Sequence, residues 1–415
     1  MKLAIVGAGI SGLVAAHVLA PEHDITVFEA NDYAGGHTNT VAVTTETATH
    51  HVDTGFIVFN DRNYPNFERL LNRLNVASQP STMSFSVSDQ TGDFEYSGSS
   101  LNGLFAKRGH LATPSFLRMI GDLVRFNRQA RSLLERDEEG PSLGTWLEQQ
   151  RFSEWFVQRL IVPQASAVWS ADPRQMWTFP ARFLVSFFDN HGMLGFRGRP
   201  QWRTVTGGSA RYVSALTASL GERVRLSEPV TGVCRHPDHV RVSTRSGDTQ
   251  TFDEVVLATH SDQALALLED PSERERELLG AIPYQRNEAV LHTDVGMLPR
   301  RRRAWASWNY HLLDDPTPTS TVTYHMNRLQ AIDADREFCV TLNRGDAIDP
   351  AKVIRTISYA HPVFTAAGAA AHARHGEISG VNRTSYCGAY WGWGFHEDGV
   401  VSALRACERF GAGLR

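Results

Sequence analysis

A chain of 415 residues, 42% hydrophobic and 21% charged, is long enough for two globular cores and too apolar to be disordered. Its 41 Lys and Arg against 45 Asp and Glu give a net charge of −4, which excludes the strong basic excess of a nucleic-acid binder. Only Lys2, Lys107 and Lys352 are lysines, so 38 of the cations are arginines. The four scattered cysteines, Cys234, Cys339, Cys387 and Cys407, show neither a CxxC pair nor metal-ligand spacing, so a reducing compartment and no metal are expected. The apolar run Leu3 to Val6 passes straight into glycines without a signal-peptide pattern, and no stretch of about 18 apolar residues occurs, so the expected location is cytoplasmic.

Leu3-Ala4-Ile5-Val6 predicts a short buried strand, Gly7-Ala8-Gly9-Ile10-Ser11-Gly12 a tight turn, and Leu13 to Leu19 a helix. Asp24 to Phe28 predicts a second strand ending in Glu29 and Ala30. This is GxGxxG between strand and helix with an acid about 20 residues on, the dinucleotide-binding fingerprint. Gly7 allows the turn, Gly9 admits a pyrophosphate, and Gly12 lets helix and strand close up. Ile10 and Ser11 open a helix whose unpaired N–H groups face the phosphates, and Glu29 would accept hydrogen bonds from the ribose.

Further along, Gly35-Gly36-His37-Thr38 and Asp53-Thr54-Gly55-Phe56 form a second glycine-rich group. Pro114 to Arg136 predicts an amphipathic helix, apolar at Phe116, Leu117, Ile120, Leu123, Val124 and Leu134 and basic at Arg118, Arg125, Arg128 and Arg131. After Trp169 and Trp177, the stretch from Phe179 to Phe196 is rich in aromatics, suiting either a substrate-domain core or a lipid slot. Gly207-Gly208 precedes an apolar helix from Val213 to Leu220, and strands are expected at Val224 to Leu226 and at Val230. Val240 to Thr244 and Thr249 to Phe252 alternate as a hairpin does, and Glu254 to Leu257 is a buried strand running into Ala258-Thr259. Tyr386 to Ala403 opens the last helix.

Together these segments resemble the flavin-containing amine oxidase and phytoene desaturase superfamily. The resemblance implies FAD as cofactor and an α/β fold, in which a Rossmann-type FAD-binding domain of glutathione-reductase-like, amine oxidase topology is interleaved with an α+β substrate domain. It assigns residues 1–75, 200–265 and 380–415 to the FAD domain, and 76–199 and 266–379 to the substrate domain. By that resemblance Gly35, Gly36, His37 and Thr38 hold the pyrophosphate and ribityl region, His37 standing where the family usually has arginine. Asp53, Thr54, Gly55 and Phe56 would run beside the flavin ring, Val230 would contact adenine through its backbone, and Ala258 and Thr259 would be the family's A-T element at the cofactor. Phe395 and Asp398 would follow, Asp398 as the acid at the ribityl-pyrophosphate, with Gly399 and Val400 giving N–H groups. Tyr390, Trp391 and Trp393 would wall the substrate face or else pack under the last helix.

Amine-oxidising members of the superfamily carry a lysine that holds a water at flavin N5. The corresponding stretch, Ile282 to His292, has Asn287 or Glu288 there, and no lysine lies between Lys107 and Lys352, which disfavours ordinary amine oxidation. Gly35 to Thr40, Phe188-Asp189-Asn190-His191-Gly192, Ala304 to Tyr310 and Gly394 to Gly399 carry a narrower resemblance. It is to the predicted NAD/FAD-binding proteins associated with cyclopropane fatty-acyl-phospholipid synthases. It implies a lipid acyl substrate, unsaturated, methylated or cyclopropanated, oxidised or desaturated by hydride transfer to N5. A cyclopropane-type methyltransferase is then an expected partner, and no methyltransferase domain is expected within the chain. His191 and His325 are the first candidates for proton acceptor, with Glu288, His292 and His361 behind them. The amphipathic helix and Arg300 to Arg303 suggest peripheral contact with the inner membrane. Other readings stay open: an amine oxidase-like enzyme on another small apolar substrate, an FAD-dependent isomerase or hydratase, and a non-catalytic flavin-binding partner of a methyltransferase.

Overall fold

In the first strand, Lys2–Val6, Leu3 and Ile5 face one side and Ala4 and Val6 the other, and all four are buried. A strand buried on both faces needs neighbours and two covering layers. In the computed structural model, which describes residues 1–135, 140–195, 198–315 and 317–414, it has both. It pairs in parallel with Asp24–Phe28 and Glu254–Leu257. Val224–Arg225 and Thr384–Tyr386 complete a five-stranded parallel sheet at its edges. Helices Ile10–Leu19, Ala210–Leu220 and His396–Glu408 cover the Leu3 and Ile5 face. An antiparallel meander, Val230–Arg235, Val240–Thr244 and Thr249–Phe252, covers the Ala4 and Val6 face.

A second, seven-stranded mixed sheet is built from Phe85–Asp89, Glu95–Ser97 and five strands between Tyr284 and Pro362. Its core is shared with helices Pro114–Gln129, Leu143–Gln149, Val162–Trp169 and Ala181–Asn190. The predicted helix from Pro114 to Arg136 ends at Gln129 and continues as a 3-10 turn, Ala130–Leu133, while Arg136 lies outside the described residues. Its apolar face also differs from the expectation. Phe116, Met119 and Phe126 are buried, Ile120 and Leu123 half-buried, but Leu117 and Val124 are each 45% exposed. Apolar residues cover about half of this helix's circumference, and the core takes the stripe through Met119 and Phe126. In the aromatic stretch Phe179, Leu184, Val185, Phe187, Phe188 and Leu194 are buried, and Phe196 lies outside the described residues. Among the described residues no helix is long and apolar enough to cross a membrane.

Candidate functional site

The chain turns sharply at Gly7, whose φ of +102° suits glycine and whose N–H donates to Phe28 O at 2.8 Å. A Cβ on Gly7 would come within 2.9 Å of Ala258 O, which brings the Ala258-Thr259 segment against the turn. A Cβ on Gly12 would overlap the Gly7 carbonyl oxygen, whereas one on Gly9 would meet nothing within 4 Å. The helix that follows has no side-chain cap and no acid in its first turn, so its free N–H groups and positive dipole end are left for an anion. Gly35 bridges to Gly9 and donates from its N–H to Ala8 O at 2.8 Å, laying the two glycine motifs side by side. From the far end of the chain the last helix starts over the same place. A Cβ on Gly399 would lie 2.8 Å from Ile10 Cγ2 and 3.0 Å from Ser11 Oγ. Glu29, at the end of the second strand, accepts from Ala8 N at 2.8 Å and Asn31 N at 2.9 Å, with Ala30 exposed beside it. Val230 opens the meander, half-buried.

The His37 and Gly55 segments run together: Phe56 N donates to His37 O and Thr54 N to Asn39 O, both at 2.9 Å. A Cβ on Gly55 would overlap the His37 carbonyl. Phe56 stacks on His396 with centroids 3.4 Å apart, and Thr38 bonds both the Tyr212 hydroxyl and, at 2.9 Å, His396 Nε2. Two expected cofactor contacts are otherwise engaged. The Asp53 carboxylate is fully buried and accepts from Thr40, Ser209 and Gln330, so protein donors already occupy it. Asp398 folds back to accept from Phe395 N at 2.9 Å, capping the last helix, and burial pushes its pKa up to about 6. The Gly399 N–H already donates to Phe395 O at 3.1 Å, so this glycine contributes close approach rather than a donor, and Val400 is buried in the core behind it.

His37 sits among His260, Tyr359 and His361, with ring centroids 5.8, 5.0 and 5.3 Å away. Asn287 Oδ1 accepts from Gln285 and Asn343 side chains, so its Nδ2 donates to His361 Nδ1 at 2.8 Å and the neutral ring carries its proton on Nε2. His37 is bonded to the Ala360 backbone, which leaves its Nε2 buried without a partner. Burial, then His260, lowers His37 to about 4; burial, then His361, lowers His260 to about 4; burial, then His37, lowers His361 to about 3. Below pH 6.5 the unfolded chain therefore takes up protons that the folded chain refuses, and these histidines withdraw stability progressively between pH 6.5 and about 4. Asp53 and Asp398 titrate with the opposite sign, so the check is a difference: thermal melts of His361→Gln should lose less stability over that interval than the parent. Parallel profiles would refute the cluster's role.

The other candidates are scattered. His191 lies beside the last helix, stacked on Phe187 at 4.0 Å and 6.0 Å from Phe395. His325 is held by Glu337 at 2.7 Å against Trp305, its ring in contact with none of the cradle residues. His292 is pinned by Thr341 and the Asp294 N–H, and Glu288 points outward, exposed. Trp393 contacts Phe183 at 4.3 Å and Phe187 at 5.8 Å, and its carbonyl accepts from Trp169 Nε1. Tyr390 and Trp391 belong instead to the core on the meander side of the sheet. Sequence reasoning missed Tyr212, Tyr359 and His260 as neighbours of His37 and Thr38, and nothing local to those residues signals it. Among the described residues the four cysteines are free and no cluster could ligate a metal.

An open backbone at Gly9, two helix N-termini converging on it and an unpartnered His37 Nε2 fit a dinucleotide whose ribityl hydroxyls need acceptors. A family model described as flavin containing amine oxidoreductase matches residues 10–293. Cyclohexylamine oxidase from Brevibacterium oxydans IH-35A superposes with a TM-score of 0.70 at 16% identity, covering 99% of both chains. Putrescine oxidase bound to putrescine gives 0.69 at 16% identity, with 99% of both chains covered. A fatty acid isomerase from P. acnes, described as producing CLA, gives 0.67 at 16% identity, with 98% of each chain covered. At such identities the three share the fold.

Proposed function

This chain belongs to the flavin containing amine oxidoreductase family, as an FAD-dependent oxidoreductase, and from that footing we propose that it oxidises or desaturates a lipid acyl chain. The observation that carries the reading is the aromatic wall beside the last helix: Trp169, Phe183, Phe187, Phe364, Trp393 and Phe395 lie in mutual ring contact. None of these six side chains carries a charge with which to pair a cationic amine. The two strand positions at which the amine oxidase lysine is expected hold buried Asn287 and exposed Glu288, and Lys352 is bound elsewhere, to Asp294 at 3.0 Å. When bound, FAD supplies a two-electron acceptor for a hydride leaving carbon. The aromatic wall would orient the chain and exclude water. His191 Nδ1 donates to Phe187 O at 2.9 Å, so Nε2 keeps its lone pair, and burial holds the ring neutral. Nε2 is therefore the atom suited to take a proton from the carbon next to the one losing hydride.

The test is anaerobic mixing of the FAD-loaded protein with phospholipid carrying cis-unsaturated or cyclopropane acyl chains. Loss of the oxidised flavin's visible absorption is expected, and His191→Gln should slow it about a hundredfold or more. No loss with any acyl lipid, or rapid loss with a simple polyamine, would overturn the reading.

A further inference from the structure

Nine large hydrophobic side chains are exposed among the described residues, and four of them, Leu101, Leu111, Leu117 and Val124, fall within one stretch of 24 residues. The structure also packs the segments that carry them against one another. The turn Leu101–Leu104, the 3-10 segment Arg108–Ala112 and the helix Pro114–Gln129 are held together by Phe116, on which His110 stacks at 4.3 Å and Phe105 rests at 5.9 Å. Along the outer side of the helix, opposite Met119 and Phe126, run Leu117, Gly121, Val124 and Arg128, all exposed. Gly103 lies against the Arg303 backbone, so the Arg300 to Arg303 run borders the same face.

The unpaired charge on this face has one sign, since the exposed Asp93 carboxylate is held by Lys107 at 2.8 Å. No Asp or Glu occurs from Tyr96 to Gly121. Arg108 bonds only Phe105 O and the Asn102 side chain, and Arg118, Arg128 and Arg303 have no carboxylate partner among the described residues. Elsewhere nearby, arginines are neutralised: Arg125 by Asp122 at 3.0 Å, Arg131 by Asp189 at 3.2 Å, and Arg301 by buried Glu95. Protruding leucines ringed by unpaired arginines match the chemistry of an anionic bilayer surface, which takes apolar side chains between headgroups and holds guanidinium groups at the phosphates. We infer that this face docks the protein on an anionic phospholipid membrane. The inference goes beyond the acyl-chain reading and does not depend on it.

The experiment is co-sedimentation of the FAD-loaded full chain with vesicles of saturated phosphatidylcholine, with or without phosphatidylglycerol. Binding is expected only with phosphatidylglycerol and should fall as salt rises. Arg118→Glu with Arg303→Glu should lower partitioning about tenfold or more, and Leu111→Ser with Leu117→Ser should lower it too, both with flavin content unchanged. Equal sedimentation on neutral vesicles, indifference to both variants, or a dimer formed through this face would overturn the inference. Saturated lipid offers nothing to oxidise, so failure here leaves flavin reduction by acyl lipid untouched, and the reverse also holds.

Discussion

Gly12→Ala is expected to purify colourless and to gain no yellow when FAD is added. The new methyl would sit inside the Gly7 carbonyl oxygen, a backbone atom that no rotamer change can move. Either the turn opens or the helix Ile10–Leu19 lifts off the strand, and both scatter the N–H groups that face the phosphates. Overpacking of this kind costs about 1–3 kcal/mol or more, so the melting temperature should fall as well. Gly9→Ala separates folding from binding. Its Cβ meets no protein atom within 4 Å, so the variant should fold with near-parental stability while binding FAD more weakly, because the methyl takes space meant for the pyrophosphate. A Gly9→Ala protein with undiminished flavin affinity would remove the cradle from this place.

Asp53→Ala should be the most destabilising single change outside the glycine turn. The carboxylate ties Thr40 Oγ1 at 2.5 Å, Ser209 N and Oγ at 2.9 Å and Gln330 Nε2 at 2.9 Å into one buried knot. It caps the helix Ala210–Leu220 from a distant strand and tethers Gln330, which follows the mixed sheet's strand Val322–His325. Removing it strands several buried donors, a loss of about 3–5 kcal/mol. Asp53→Asn should fall between, since its amide nitrogen would face donors where an acceptor is needed. Denaturant melts of both variants check this, and a loss below about 1 kcal/mol for Asp53→Ala would show the knot to be dispensable.

Much of the parallel sheet was legible because its rules are local. Leu3 to Val6 is apolar without a break because both faces are buried, and Gly7, Gly9 and Gly12 are spaced by the needs of one turn. Glu254–Leu257 and Asp24–Phe28 read correctly for the same reason. The helix from Pro114 was misjudged in facing because its apolar arc is too broad to name a buried side, and Leu117 and Val124 went to the outside. Asp398, a cofactor acid by resemblance, also caps the last helix by accepting from Phe395 N, a contact its sequence position alone does not announce.

Backbone conformation and chemical class were thus determined by the sequence itself, since glycine geometry, strand periodicity and the ribose acid act over a few residues. The membership of the site was decided only by tertiary structure. Thr38 and His396 bond across 358 positions, and Asn287 reaches His361 only because two antiparallel strands pair in one register. No short-range rule encodes such meetings. They arise where separate layers pack, and that packing separated His191 beside the last helix from His325 against Glu337.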